Sequence, residues 1–276
     1  MNYRHAFHAG NFADAMKHVA LVAVLARLRE KDKPFAVIDT HAGRGIYDLG
    51  GADARRTSEA ASGIGRLRDL SAPSGALGRY LELAHDPARY PGSPLIAAAL
   101  LRPQDRLVAI EKHPEEFAAL KSALSLFPNA RAVMADGYER LQALLPPPER
   151  RGLVLIDPAF EDEDEFAAMG RAFAAAYRRF ATGIYLLWFP LKRRAEMDAL
   201  AGDVVSAGAT KLLGIVLDVG RSRGAPPERL AAAGLLVVNP PFGFDAEMRA
   251  ALDAVLPRLC QGPGAAAAVD WLAGEA

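Results

Sequence analysis

Apolar and polar residues alternate along the chain in two rhythms. Between Asn11 and Arg29 the apolar residues Phe12, Met16, Val19, Ala23 and Ala26 recur at steps of three and four, which predicts a helix with one apolar face. Asn11 is placed to cap it, and Asp14 three residues later is placed to return a capping bond in a first turn where the helix dipole favours a carboxylate. Lys17 and His18 then fall together on the polar side, facing solvent or an acidic ligand group. Lys31-Asp32-Lys33-Pro34 stops the helix. The run that follows, residues 35–39, is short and apolar, as a buried parallel strand requires. Similar runs at residues 107–111, 132–136 and 153–157 each end in an acid, with helical segments such as 115–126 between them. Strand and helix in alternation predict a doubly wound α/β sheet. Strand candidates at 183–189, 212–219 and 235–239 bring the sheet to about seven strands, within the usual range.

One interval breaks the rhythm. A βαβ crossover needs only about thirty residues, yet residues 40–106 separate the first two strands. Residues 55–84 have helical composition, Tyr90-Pro91-Gly92-Ser93-Pro94 reads as a rigid loop, and residues 95–101 read as a further helix. The expectation is a single domain over residues 1–276 with a small helical subdomain inserted at 51–92. Insertions after the carboxyl end of a strand often shape a substrate site, and equally serve stability alone.

Composition narrows the class. The chain is 51% hydrophobic and 24% charged, with 33 basic and 33 acidic side chains and a formal net charge of zero. That excludes a disordered tail, a fibrous protein and a coat that binds nucleic acid through bulk charge. Basic residues do cluster locally, as Arg55-Arg56, Arg66 with Arg68, Arg150-Arg151, Arg178-Arg179, Lys192-Arg193-Arg194 and Arg221 with Arg223. Cys260 is the only cysteine, so neither an intrachain disulfide nor a thiolate metal cluster is expected. The N-terminus lacks an apolar signal core, and the apolar run at 183–191 is too short to span a bilayer. A cytoplasmic protein without a membrane segment is expected.

In open α/β sheets the ligand lies beyond the carboxyl ends of the strands, which here carry Asp39, Glu111, Asp136 and Asp157. An acid ending the second strand is placed to bind ribose hydroxyls, which points to Glu111 and a nucleoside-containing cofactor; the alternative role of each acid is a helix N-cap. The first turn, Asp39-Thr40-His41-Ala42-Gly43-Arg44-Gly45, lacks the G-x-G-x-x-G spacing of dinucleotide binders. Its glycines instead let a ligand such as S-adenosylmethionine approach the backbone. His41 is either a ligand contact or a turn residue. Ser-His-Asp, HExxH and Walker patterns are absent.

Asp157-Pro158-Ala159-Phe160 suits methyl transfer to an exocyclic amine. The N6 lone pair of adenine is delocalised into its ring, so the Asp157 carboxylate and the Pro158 carbonyl, accepting its two hydrogens, would help it pyramidalise. Phe160 would stack on an extruded base, a contact worth about 1–3 kcal/mol. Asn239-Pro240-Pro241-Phe242 matches the amino-methyltransferase pattern more closely. Position favours Asp157, since a fourth strand lies beside the first whereas Asn239 ends a late strand further out. At the N-terminus Tyr3, Arg4, His5, Phe7 and His8 interleave aromatic and basic groups suited to stacking and phosphate contact.

These pieces resemble the RlmJ family of bacterial ribosomal RNA adenine-N6 methyltransferases. The matching segments run from Tyr3-Arg4-His5 and His8-Ala9-Gly10-Asn11 through Ala13-Asp14, Lys17-His18, Lys31-Asp32-Lys33-Pro34-Phe35 and Asp39-Thr40-His41-Ala42-Gly43. They continue with Tyr90-Pro91-Gly92-Ser93-Pro94-Leu95-Ile96, Arg150-Arg151-Gly152, Asp157-Pro158 and Asn239-Pro240-Pro241. The resemblance implies a Rossmann-like methyltransferase domain with a helical insertion, S-adenosylmethionine as cofactor, no metal, and 23S ribosomal RNA as substrate, free or partly assembled, with no obligate protein partner. It places cofactor contacts on His18, His41, Ser93, Glu111, Asp136, Gly137 and Asp157, and makes Asp157 catalytic. Tyr3 would engage the RNA near the active site, giving the terminus a role as a lid, with Arg4 on a phosphate and Phe160 against the base.

The chain departs from the family's Asp-Pro-Pro-Tyr at Ala159 and Phe160. Ala159 loosens the backbone constraint of a second proline, and Phe160 keeps the ring but loses a hydroxyl. Reduced or unchanged catalysis is expected. The rival readings are a DNA or small-molecule amino-methyltransferase and a non-catalytic RNA-binding homologue.

Overall fold

The computed structural model describes residues 5–274 except 72, 225, 227 and 228, and the backbone alone at 53 and 55. After a single 3-10 turn at His5–Phe7, helix α1 (Phe12–Arg29) leads to β1 (Ala36–Asp39) and the short β2 (Ile46–Tyr47). Helices α2 (Ala52–Thr57), α3 (Glu59–Ser62) and α4 (Gly75–Leu83) precede β3 (Tyr90–Pro91) and α5 (Ser93–Leu100). Then β4 (Arg106–Glu111), α6 (Pro114–Leu124), β5 (Ala130–Met134), α7 (Gly137–Leu144), β6 (Gly152–Ile156) and α8 (Glu165–Arg179) alternate. The chain closes with β7 (Ile184–Pro190), α9 (Arg194–Ser206), β8 (Leu212–Asp218), β9 (Ala232–Val238), α10 (Phe244–Leu259) and β10 (Ala266–Ala273).

The main sheet has eight strands among the described residues, in the order β10-β8-β9-β7-β6-β1-β4-β5. The five strands from β7 to β5 are parallel, while β9, β8 and β10 each pair antiparallel with their neighbours. The predicted strands are all present, with ends shifted by a few residues. The additional strand β10 was hidden by the alanine-rich stretch 265–268, a composition with little strand preference.

Alternate side chains of the central strands supply the two cores. Val37, Leu107, Leu153 and Leu155 face α1, α4, α5 and α10, whereas Ile38, Val108, Val154 and Ile156 face α7, α8 and α9. Both faces are covered, which is why these runs read as continuously apolar. The insertion shares the first core, with Ile64, Leu67, Leu77 and Tyr80 packed into the same cluster as α1. The short β2–β3 ribbon pairs Tyr47, ahead of the predicted insertion, with Tyr90 near its end.

Two details of α1 differ from expectation. The helix has no solvated polar face: residues 12–25 are all buried, Lys17 and His18 included. Asn11 does cap it, its side chain accepting from the amides of Ala13 and Asp14. Asp14, however, reaches past the cap to accept from the Gly10 amide at 2.9 Å, and its other oxygen lies 2.8 Å from Lys17 Nζ. Burial with mutual pairing replaces exposure here, because a buried charge is tolerated only when paired and hydrogen-bonded.

Candidate active site

The carboxyl ends of β7, β6, β1, β4 and β5 open into a cavity of about 1050 Å³. His18, His41, Ser93, Glu111, Asp136, Gly137, Asp157 and Phe160 all line it. Residues far apart in sequence converge because each parallel strand delivers its last side chain to the same edge. Tyr3 and Arg4 lie outside the described residues. Their successor His5 borders the cavity, with Nε2 3.1 Å from Asp14 Oδ2.

Asp157 follows β6, directly beside β1. Its Oδ2 lies 2.5 Å from Lys17 Nζ, and among the described residues Oδ1 accepts no hydrogen bond. Lys17 is therefore clamped between two carboxylates. Burial acts to discharge it, but the charges of Asp14 and Asp157 overcome that and hold its pKa well above the usual lysine value. Burial likewise opposes ionisation of Asp14, and the charges of Lys17 and His5 outweigh it, keeping that carboxyl well below its ordinary range. Lys17 also sits 5.8 Å from the centre of the Trp188 ring. The pattern along the helix placed Lys17 toward solvent or an acidic ligand group. The overlooked signal was the i, i+3 spacing of Asp14 and Lys17, a pair able to enter the core together.

The turn after β1 wraps the neighbouring strand end. Glu111 accepts from the Gly43 amide at 2.9 Å through one oxygen and from the His113 amide at 2.7 Å through the other. This fixes the carboxylate, each oxygen keeping a further lone pair for a hydroxyl. Gly43 has φ +61°, and a Cβ there would stand 2.3 Å from the Tyr47 hydroxyl oxygen. Gly137 approaches the same turn so closely that a Cβ would lie 2.1 Å from the Thr40 carbonyl oxygen. Asp136 caps α7 by accepting from the amides of Tyr138 and Glu139, and its other oxygen takes Lys112 Nζ at 3.0 Å. For this acid the capping role is realised at the cavity wall.

The two histidines are neutral. Burial drives His18 down to about 3 and His41 down to about 4. His18 Nδ1 meets the Tyr90 hydroxyl at 3.1 Å, and the His41 ring packs edge-on against Tyr138 at 5.0 Å. Ser93 donates to Asp39 Oδ2 at 2.7 Å, while Asp39 Oδ1 is buried with no partner. Burial pushes the Asp39 carboxyl up to about 7. Ser93 lines the cavity and Asp39 does not, so the serine hydroxyl, its proton committed to Asp39, offers acceptor lone pairs to a ligand.

Phe160 closes the strand-to-loop turn at φ +52°, a conformation that is unusual for a bulky side chain. Its ring lies edge-on to Phe166 at 4.8 Å and to Trp188 at 6.0 Å. The second motif is elsewhere. Because β9 runs antiparallel to β7, Asn239 falls at the opposite edge of the sheet. Its amide donates to the carbonyls of Ala181 and Gly183, both at 2.8 Å, so it fastens a turn.

Residues 32–273 match the family model described as Ribosomal RNA large subunit methyltransferase D, RlmJ. The chain belongs to the RlmJ family. Two relatives named Ribosomal RNA large subunit methyltransferase J, from Escherichia coli and Haemophilus influenzae, are 39% and 36% identical over the whole of both chains. A crystal structure of a Legionella pneumophila protein superposes with a TM-score of 0.87 at 33% identity, covering 96% of this chain and 98% of that one. Membership in the RlmJ family makes the sheet described above a Rossmann-like methyltransferase fold. Among the described residues no helix is long and apolar enough to cross a membrane, and no group of three or more His, Cys, Asp or Glu is arranged to hold a metal ion.

Proposed function

We propose that this RlmJ-family chain transfers a methyl group from S-adenosylmethionine to N6 of an adenine in 23S ribosomal RNA, as a cytoplasmic enzyme with no obligate protein partner. The observation that carries the reading is the cavity-lining Asp157 carboxylate, with Oδ2 held by Lys17 and Oδ1 without a hydrogen bond among the described residues. The names of the two full-length relatives supply the substrate class.

When bound, S-adenosylmethionine supplies an electrophilic methyl carbon on a sulfonium. Glu111 would hold the ribose hydroxyls. Asp136, Gly137 and His41 would border the nucleoside, and Ser93 and His18 would border the amino-acid end. Asp157 Oδ1 and the Pro158 carbonyl each accept one hydrogen of the adenine amine. That would draw the lone pair out of conjugation, so that the nitrogen could attack the methyl carbon in line as the carbon–sulfur bond breaks and a neutral thioether leaves, with no covalent enzyme intermediate. As the nitrogen becomes cationic, the fixed carboxylate stabilises it, and Oδ1 takes the surplus proton and releases it to solvent. Phe160 would stack on the base, with Tyr3 closing over the RNA from the N-terminus. We read residues 1–276 as one methyltransferase domain with 51–92 as its inserted helical subdomain. Thr57 and Glu59 of that segment line the cavity.

The test uses labelled S-adenosylmethionine and unmodified 23S ribosomal RNA, with wild type and Asp157→Ala, and locates the methyl group by nuclease digestion and mass spectrometry. N6-methyladenosine formed by the wild type alone supports reaction, substrate and catalytic residue. Full activity of Asp157→Ala would remove that residue from the chemistry. An inactive wild type restored by Ala159→Pro would show that the altered motif has lost its geometry.

A further inference from the structure

Zero net charge leaves open how a chain with as many acids as bases grips a polyanion. Several of the basic residues prominent in the sequence are committed elsewhere. Arg151 donates to the carbonyls of Leu28 and Lys33, Arg179 to that of Leu145, and Arg66 to that of Cys260. Arg193 and Arg194 pair with Glu196 and Asp198. Four basic side chains other than histidine line the cavity: Lys17, Lys112, Lys192 and Arg229. Lys17 is held by Asp14 and Asp157, and Lys112 by Asp136. Lys192 is exposed and forms no ion pair with the described residues. Arg229 forms no close ion pair among the described residues; its guanidinium lies 3.4 Å from the Ser62 hydroxyl and acts on Glu59 through longer-range charge.

Topology puts these last two together. Lys192 follows β7, and the antiparallel β9 begins at the same edge, the Leu191 amide donating to the Ala232 carbonyl at 2.9 Å. The loop carrying Arg229 and Leu230 therefore stands beside the turn carrying Lys192, on the side of Asp157 away from Glu111 and Asp136. Trp188, Leu230 and Pro226 line the cavity on this side and offer apolar surface for base faces. The other side of Asp157 is opposite in charge. Residues 161–165 are five consecutive acids that line the cavity, and Asp162 acts electrostatically on Lys112 beyond β4.

We propose that Lys192 and Arg229 hold phosphates flanking the flipped adenine, so that the RNA strand crosses the β7 end of the sheet edge while residues 161–165 keep it off the cofactor end. The inference rests on the RNA-methylating function proposed above. Two cations at one wall and five acids at the other impose a direction on a polyanion without requiring a basic protein.

The experiment measures methylation kinetics and RNA affinity against salt, using an unmodified 23S ribosomal RNA transcript, for wild type, Lys192→Ala, the double variant Lys192→Ala/Arg229→Ser, and Glu161→Gln/Glu163→Gln. The double variant is expected to raise KM for RNA by about tenfold or more, far beyond any change in kcat, with affinity for S-adenosylmethionine kept. Each lost single-strand phosphate contact should reduce the salt slope by about 0.7, or about 1.4 for the pair. Glu161→Gln/Glu163→Gln should bind RNA as tightly as wild type or a few times more tightly. An active wild type whose double variant keeps its KM and salt slope overturns this inference and leaves the proposed function standing, as does weaker RNA binding by the acid-neutralised variant. A wild type that transfers nothing to RNA overturns the proposed function and this inference with it. Lys192 is exposed, so Lys192→Ala provides the same test at one contact if the double variant does not fold.

Discussion

Lys17 Nζ lies 2.5 Å from Asp157 Oδ2 and 2.8 Å from Asp14 Oδ1, joining the first helix to the end of the fourth parallel strand in chain order. The contact spans 140 residues of sequence. It fixes one oxygen of the cavity-lining carboxylate that the proposed chemistry uses and leaves the other without a hydrogen bond among the described residues.

Removing that ammonium should separate positioning from stability. Lys17→Met leaves Asp14 buried with a reduced complement of partners, and breaking such a pair costs about 3–5 kcal/mol. Lys17→Met with Asp14→Asn should recover much of the melting temperature yet keep a methyl-transfer rate reduced by roughly 100-fold, the size expected when a reacting group loses its orientation. Thermal melts and single-turnover assays on both variants check this, and a double variant that regains the wild-type rate would refute the positioning role.

Glu111 should govern cofactor affinity. Glu111→Gln weakens hydrogen bonds to a charged acceptor, worth about 1.5–3 kcal/mol, so the Kd for S-adenosylmethionine should rise about 10–100-fold. Titration calorimetry reads this directly. An unchanged Kd would assign Glu111 to holding Gly43 and His113 alone.

Asn239 should matter to stability and not to transfer. Asn239→Ala deletes two side-chain hydrogen bonds and places alanine at φ +54°, a combined cost of about 2–3 kcal/mol. The variant should melt lower and methylate at the wild-type rate well below its melting temperature. Loss of rate without loss of stability would reopen the choice between the two Pro-containing motifs.

Acid should destabilise the fold through its buried imidazoles. His18 and His41 have folded pKa values depressed by burial to about 3 and about 4, against 6.5 when unfolded. Below pH 6.5 the unfolded state therefore binds more protons. The contribution of each group is complete above that pH and declines as pH falls toward 4, by up to about 1.4 kcal/mol per pH unit per histidine. Asp39, raised to about 7, acts in the opposite sense between pH 7 and pH 5, so the readout is a difference between variants: His41→Gln should lose less stability than wild type on going from pH 7 to pH 5. Melting temperatures that shift equally with pH in wild type and His41→Gln would contradict neutral burial of His41.

Local pattern carried much of this architecture. Short apolar runs ending in acids announced the parallel strands, and motif resemblance named the candidate site residues. Both rest on information within a few neighbouring residues, since periodicity, capping and turn chemistry are local. Three features were settled only by the tertiary structure. The antiparallel course of β9 sent Asn239 to the far edge, because strand direction depends on pairing partners distant in sequence. The burial of Lys17 followed from carboxylates on its own helix and on β6, which together make a charged group tolerable inside. The side of the cavity that carries Lys192 and Arg229 emerged only once Lys17 and Lys112 were seen held by carboxylates, and charge pairing across the fold is not written in the spacing of the chain.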